Sequence, residues 1–215
     1  MLYWIGRSLS RLLFKATCRL EVVGRENLPA TGGVIIAPNH ISHLDPPLVG
    51  AALSRSVYFM AKRELFEVPI FGWIIRQTHA FPVSRGTADR QAIRQAQKLL
   101  ESGEVLVIFP EGKRSPDGRL QAPELGLAMI AARAGVPVVP MALTGTNYAL
   151  PRGSVCFRPA RIRVTIGAPQ SFASMTNSEF SRQTLQEFSD KIMNEIQRML
   201  PAEMQGAVPR AEVTK

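Results

Sequence analysis

Asn39-His40-Ile41-Ser42-His43-Leu44-Asp45 is the stretch of this chain whose residue types and spacing could do chemistry. It follows an apolar run, Gly33-Val34-Ile35-Ile36-Ala37, short enough to be a buried strand. His40 and Asp45 therefore stand where a strand gives way to a loop, a favoured place for catalytic groups. An imidazole can take a proton near neutral pH. A carboxylate beside it can keep one ring nitrogen protonated and stabilise the imidazolium that forms. No Gly-x-Ser-x-Gly elbow or active-site cysteine accompanies the pair. A His–Asp pair without its own nucleophile implies that the substrate brings one, a hydroxyl. A structural reading also fits: Asp45 before Pro46-Pro47 suits a helix N-cap, and His40 a loop histidine.

A second cluster weighs against the structural reading. Glu104-Val105-Leu106-Val107-Ile108-Phe109 reads as another strand, followed by Pro110-Glu111-Gly112-Lys113-Arg114-Ser115. An acid and two bases thus share a glycine-containing turn at a strand end. Adjacent Lys113 and Arg114 suit an anionic, oxygen-rich ligand, Arg being able to bind phosphate bidentately. Phe81-Pro82-Val83-Ser84-Arg85-Gly86 is a further apolar run ending at a base, and Val136-Pro137-Val138-Val139-Pro140 is apolar and proline-bounded.

These four blocks, in this order, resemble the glycerolipid acyltransferase family, and within it the 1-acylglycerol-3-phosphate acyltransferase type. The family pattern Asn-His-x-Ser-x-x-Asp is met by Asn39, His40, Ser42 and Asp45. The second block ends in Arg85. Phe-Pro-Glu-Gly-x-Arg-Ser is met by Phe109, Pro110, Glu111, Gly112, Arg114 and Ser115, and the proline-bounded run is the fourth. The resemblance spans roughly residues 20 to 170. Lys113 stands where the family most often has threonine, adding charge beside the expected phosphate site.

The resemblance implies a single chemistry. His40 takes the proton of the free sn-2 hydroxyl of a 1-acylglycerol-3-phosphate, and that oxygen attacks the thioester of an acyl-CoA or acyl carrier protein. Asp45 orients His40. Arg85, Lys113 and Arg114 hold the phosphate, with Lys62 a further candidate at the end of a strand near 57–61. Glu111 lies at the acceptor site, anchoring a base or the glycerol. The product is phosphatidate, for phospholipid synthesis. No metal or resident cofactor is expected; His43 and His79 lack ligand-spaced partners and read as structural. Another lysophospholipid or a lyso-aminolipid remains open as acceptor. Two other classes remain: an acyl-thioester hydrolase, and a non-enzymatic basic module binding membrane or nucleic acid. The chain lacks a recognition-helix motif or a stacking-aromatic surface, so nucleic acid is not expected.

Composition is compatible. A chain of 215 residues, 46% hydrophobic and 20% charged, should form one globular domain. A net charge of +9 and a pI near 10.2 call for an anionic partner. Cys18 and Cys156, far apart and without metal-ligand spacing, read as reduced thiols. Residues 1–20 hold no acid. Leu2, Ile5, Leu9, Leu12, Leu13 and Ala16 follow helical spacing, and Arg7, Arg11, Lys15 and Arg19 form a basic stripe. This suits a helix lying in the interface of an anionic membrane, too short and charged to span it. The enzyme is then expected as a peripheral protein on the cytoplasmic face of the cell membrane. The alternative is an ordinary helix packed on the domain. The segment 65–75, rich in large apolar side chains, could fill the core, line an acyl groove or dip into lipid.

The expected organisation is an interfacial helix over 1–17, a catalytic domain over 18–200 and a flexible tail over 201–215. Expected strands lie near 18–23, 33–37, 57–61, 79–83, 104–109, 137–143 and 161–166. Expected helices cover 47–54, 64–76 (broken), 88–101, 123–134 and 177–200. The alternation predicts an α/β fold, with a mixed, mostly buried sheet flanked by helices.

Overall fold

The computed structural model describes residues 2–84, 89–172 and 181–206. Seven strands form one sheet: β1 (Arg19–Val23), β2 (Val34–Pro38), β3 (Val57–Lys62), β4 (Ala80–Val83), β5 (Val105–Val107), β6 (Val138–Thr144) and β7 (Arg161–Ile166). Their spatial order is β1-β7-β6-β2-β5-β3-β4. All neighbours are parallel except β6 and β7. The central strands are uniformly apolar because both sheet faces are covered: every residue of β2 and of β5 is buried. Toward the edge, β7 alternates instead, with Ile162, Val164 and Ile166 inward and Arg161 and Arg163 outward.

Helices cover the two faces. Ile35, Ala37, Leu106 and Ala142 meet α4 (Arg90–Glu101), α5 (Gly126–Ala134) and α7 (Arg182–Met199). Val34, Ile36, Val107 and Leu143 meet α1 (Leu2–Thr17) and α2 (Asp45–Ala52). The crossovers β2-α2-β3 and β3-α3-β4 run in the same direction across the sheet. With right-handed connections, α3 (Phe71–Gln77) shares the face of α1 and α2.

Several expected boundaries shift. The broken helix of 64–76 is a 3-10 turn at Arg63–Phe66 followed by α3, interrupted at Ile70, whose φ is 64°. Its apolar residues do not fill the core: Leu65, Val68, Ile70, Phe71, Trp73 and Ile74 are exposed, whereas Phe66 is buried. The start of α4 is capped by Asp89, which accepts from Gln91 N–H and Ala92 N–H. The short helix α6 (Thr146–Ala149) was not expected. The expected tail is corrected over its first part. Ala202–Met204 form a 3-10 turn, Met204 is buried, and its carbonyl accepts Leu120 N–H at 3.0 Å. The rest of that tail, 207–215, and the first turns of the expected helix 177–200 lie outside the described residues.

The first helix keeps its apolar residues outward, as an interfacial helix would, but part of its basic stripe packs onto the domain. Arg7 is buried, and the exposed Arg11 reaches over the end of α2. Arg7 donates to Leu53 O, and Arg11 donates through Nε to Ala51 O and through Nη2 to Leu53 O, both at 2.8 Å. With Arg25, which donates to Ala52 O at 2.8 Å, they satisfy the carbonyls at the end of α2. Tyr3 and Phe14 are buried beside them, and the Tyr3 hydroxyl accepts Val57 N–H at 2.9 Å. The outward face carries Leu2, Ile5, Leu9, Leu12 and Leu13. Thus α1 is integral to the domain rather than a detachable segment.

Candidate active site

The carboxyl ends of β2, β5, β3 and β4 stand side by side at one edge of the sheet. In open α/β sheets this edge, where connections diverge to either side, is where ligands bind. His40 follows β2. Glu111 to Arg114 follow β5, its immediate neighbour. Of the eight buried polar or charged side chains among the described residues, Asn39, Ser42, Asp45, Glu111, Ser115 and Thr146 belong to these loops and to α6. Buried polar groups need partners, so their concentration marks where structure is being spent on positioning.

Each has a definable task. Asn39 clamps β2 to β6: its Oδ1 accepts Leu143 N–H at 2.7 Å and its Nδ2 donates to Leu143 O at 3.1 Å. Asp45 Oδ2 accepts from Ile41 N–H and Ser42 N–H at 2.7 Å each, and from His40 Nδ1 at 2.8 Å. Its Oδ1 accepts the Thr146 hydroxyl at 2.6 Å. Asp45 opens α2 but does not cap it; its oxygens are turned to the His40 loop. The carboxylate therefore shapes the loop and fixes the ring together. With Nδ1–H held by Asp45, the lone pair of Nε2 is the open one, and among the described residues it has no hydrogen-bond partner. Phe109 stacks on the imidazole, with ring centroids 4.0 Å apart. Ser42 Oγ donates to Leu150 O at 3.2 Å, tying the loop to the end of α6.

The turn after β5 is built onto the same loop. Ser115 N–H donates to His40 O at 2.8 Å, and Ser115 Oγ accepts Gly118 N–H while donating to Asp117. Gly112 has φ 66°, and a Cβ there would stand 2.9 Å from the Glu124 side chain, so the turn needs glycine. Pro110 is buried and its carbonyl accepts Glu124 N–H at 2.8 Å. Glu111 is 2% exposed, with Oε1 accepting His40 N–H at 2.7 Å and Oε2 accepting Gln121 N–H at 3.0 Å. In this structure it holds the backbone of the His40 loop, a task that the sequence did not show.

Burial pushes the Glu111 carboxyl up to about 7, against backbone donors that pull it down. An acid raised from 4.5 to about 7 binds more protons folded than unfolded between those values. The stability it contributes is full below about pH 4.5 and is lost as pH rises through about 7. Glu111→Gln should flatten that slope. The fall in unfolding free energy from about pH 5 to about pH 8, measured in urea, should shrink by roughly 2 kcal/mol. An unchanged fall would assign the slope to other groups.

The bases are distributed unequally. Lys113 is exposed and Arg114 half-buried on the turn beside His40. Partial burial, then the Arg114 charge, lowers the pKa of His43, which puts the guanidinium near the His40 loop. Lys62 ends β3, two strands from β2 and so roughly 10 Å away across the sheet. It pairs with Glu64 at 3.1 Å in solvent. Arg85 lies outside the described residues; Arg63 donates to Ser84 and pairs with Asp89 at 3.3 Å. His79 is structural: it stacks on Tyr3 and Tyr58 and contacts Ser56 Oγ at 3.3 Å. Among the described residues no group of His, Cys, Asp or Glu side chains could hold a metal ion.

Comparison with known proteins fits this geometry. Residues 19–144 match the family model described as Acyltransferase. The chain belongs to the acyltransferase family. It is 34% identical over 165 residues to the 1-acyl-sn-glycerol-3-phosphate acyltransferase of Bacillus subtilis, covering 74% of this chain and 79% of that one. It is also 34% identical over 155 residues to the chloroplastic 1-acyl-sn-glycerol-3-phosphate acyltransferase LPAT1 of Arabidopsis thaliana, covering 70% of this chain. There it spans 43% of the relative's length. The crystal structure of the 1-acyl-sn-glycerophosphate acyltransferase PlsC from Thermotoga maritima superposes with a TM-score of 0.74 at 28% identity, covering 92% of this chain and 79% of that one. The α/β fold expected from the sequence is therefore that of an acyltransferase. Within this family frame, Thr146 is the buried contact of the dyad that the sequence reading missed. No local sequence signal marks it, because its partner lies 101 positions away.

Proposed function

We propose that this acyltransferase moves a fatty acyl group from acyl-CoA or acyl carrier protein to the sn-2 hydroxyl of 1-acylglycerol-3-phosphate, giving phosphatidate. The observation that carries the reading is the His40 Nδ1–Asp45 Oδ2 pair at 2.8 Å, with Nε2 open beside the basic turn at Lys113 and Arg114. Nε2 takes the hydroxyl proton as the oxygen attacks the thioester carbonyl. Asp45 stabilises the imidazolium, and the proton then passes to the leaving thiolate. A phosphate held by Arg114 and Lys113, with Arg85, fixes the hydroxyl against the imidazole. The B. subtilis and T. maritima relatives carry names for this reaction, which supports the choice of acceptor. A panel of lysophosphatidate, other lysophospholipids and lyso-aminolipids, with labelled acyl-CoA and acyl carrier protein, tests it. Preferred acylation of lysophosphatidate is expected. Acyl release that does not depend on any acceptor would instead indicate a hydrolase.

Arg114→Ala should raise the apparent KM for lysophosphatidate about tenfold or more, with little change in the donor KM, because a charge-assisted phosphate contact is lost. A change confined to the donor KM would move Arg114 to the CoA or carrier side.

We further infer peripheral attachment to the cytoplasmic face of an anionic membrane. No helix among the described residues is long and apolar enough to cross a membrane. The outward residues of α1 and the exposed apolar run at 65–74 lie on one face of the sheet, as an interfacial surface requires. The loop at 65–70 follows the carboxyl end of β3, the edge that bears His40, so a lipid acceptor would enter from the layer where it resides.

A further inference from the structure

We propose that the groove between α1, β1 and the end of α2 is a second phosphate site, occupied by the headgroup of an anionic membrane lipid. The groove has a volume of about 700 Å³, and Arg11, Lys15, Arg19 and Arg25 line it over an apolar floor that includes Leu20 and Val22. No acidic side chain lines it. Two of the cations are fixed in place by structure: Arg11 and Arg25 donate to carbonyls at the end of α2. Those acceptors are neutral, so the guanidinium charges stay uncompensated. Lys15 and Arg19 are exposed, with no ion-pair partner among the described residues. Four basic residues bordering one groove with no acid in its lining make an anion site.

The position selects the occupant. Arg11 and Lys15 are one turn apart on α1, on the flank of the stripe formed by Leu2, Ile5, Leu9 and Leu12. If that stripe enters the acyl layer, its flank lies at the depth of the lipid phosphates. The inference rests on the interfacial reading above. The groove is also remote from the chemistry. Ala51, which lines it, is at the opposite end of α2 from Asp45, and none of the lining residues contacts His40 or the Glu111 turn. A lipid held there would not react. It would set the rotation of the enzyme on the surface and so keep the His40 edge facing the acceptor.

The test uses the full chain with vesicles of phosphatidylcholine alone or mixed with phosphatidylglycerol. Lys15→Gln/Arg19→Gln leaves the carbonyl contacts of Arg11 and Arg25 intact. Arg182→Gln/Lys191→Gln on α7 removes the same charge from the other face of the sheet. The intact protein should prefer the mixed vesicles. The groove variant should lose on the order of tenfold in partition to them and little to phosphatidylcholine, since each base near an anionic surface contributes separately. The α7 variant should keep most of the preference, and unfolding midpoints should match. Equal losses in both variants would reduce the effect to net charge and overturn the proposal. So would a raised apparent KM for acyl-CoA with vesicle binding intact, which would give the groove to the donor's phosphates. Intact protein that binds while the groove variant binds equally refutes the groove alone. Intact protein that binds no vesicle refutes the interfacial reading and the groove with it.

Discussion

Replacing His40 by alanine should leave a folded protein whose acyl transfer is near background. The ring is removed from a position where its Nδ1 is one of four donors to Asp45; Ile41 N–H, Ser42 N–H and the Thr146 hydroxyl remain. The carboxylate therefore keeps its other hydrogen bonds, and the loop keeps its shape. Lost general-base catalysis costs about 10² to 10⁴ in rate. The loss should appear in kcat and in kcat/KM for both substrates, because the proton is taken only as the bond forms. Asp45→Asn should act differently. An amide would aim N–H groups at a site built of donors, so the unfolding midpoint should fall as turnover drops markedly, though short of the His40→Ala loss. Purified His40→Ala with near-wild-type turnover would end the mechanism proposed here.

The dyad was legible because both of its members lie in one short loop after an unmistakably buried run. The apolar run at 34–37 needed no alternation to be read as a central strand, and the turn after β5 is a compact motif. What the sequence could not reveal was long-range partnership. Thr146 meets Asp45 across 101 positions, and nothing in the local pattern ties them. Glu111 looked like a ligand group because a charged residue in a loop is usually solvated. Only the packing of the two loops shows both its oxygens committed to backbone N–H groups.

The same limit explains how the first helix packs. Periodicity identifies an amphipathic helix and its two faces, but not which face meets the protein. The end of α2 exposes carbonyls that need donors, and Arg7 and Arg11 supply them from 40 to 46 positions away. With Arg7 buried and Arg11 bonded to the end of α2, the leucines are left facing out.

That packing determines how membrane attachment has to be tested. Deleting residues 1–17 would strip the caps from α2 and the Tyr3 and Phe14 contacts, so lost binding could reflect lost folding. Leu9→Ser/Leu12→Ser changes only outward side chains, 61% and 64% exposed. Transfer of a leucine side chain from water to an apolar layer is worth about 1.5–3 kcal/mol. Two of them, already partly covered, should cost on the order of 10² in partition to vesicles. Activity on vesicle-borne acceptor should fall with binding, while activity on detergent-dispersed acceptor should hold, because neither residue is near His40. High salt should weaken binding of the intact protein only in part, since the apolar contribution survives screening. If the double variant floats with vesicles as well as the intact chain, α1 is not the attachment surface. The exposed run at 65–74, on the same face and nearer the catalytic edge, then becomes the segment to substitute.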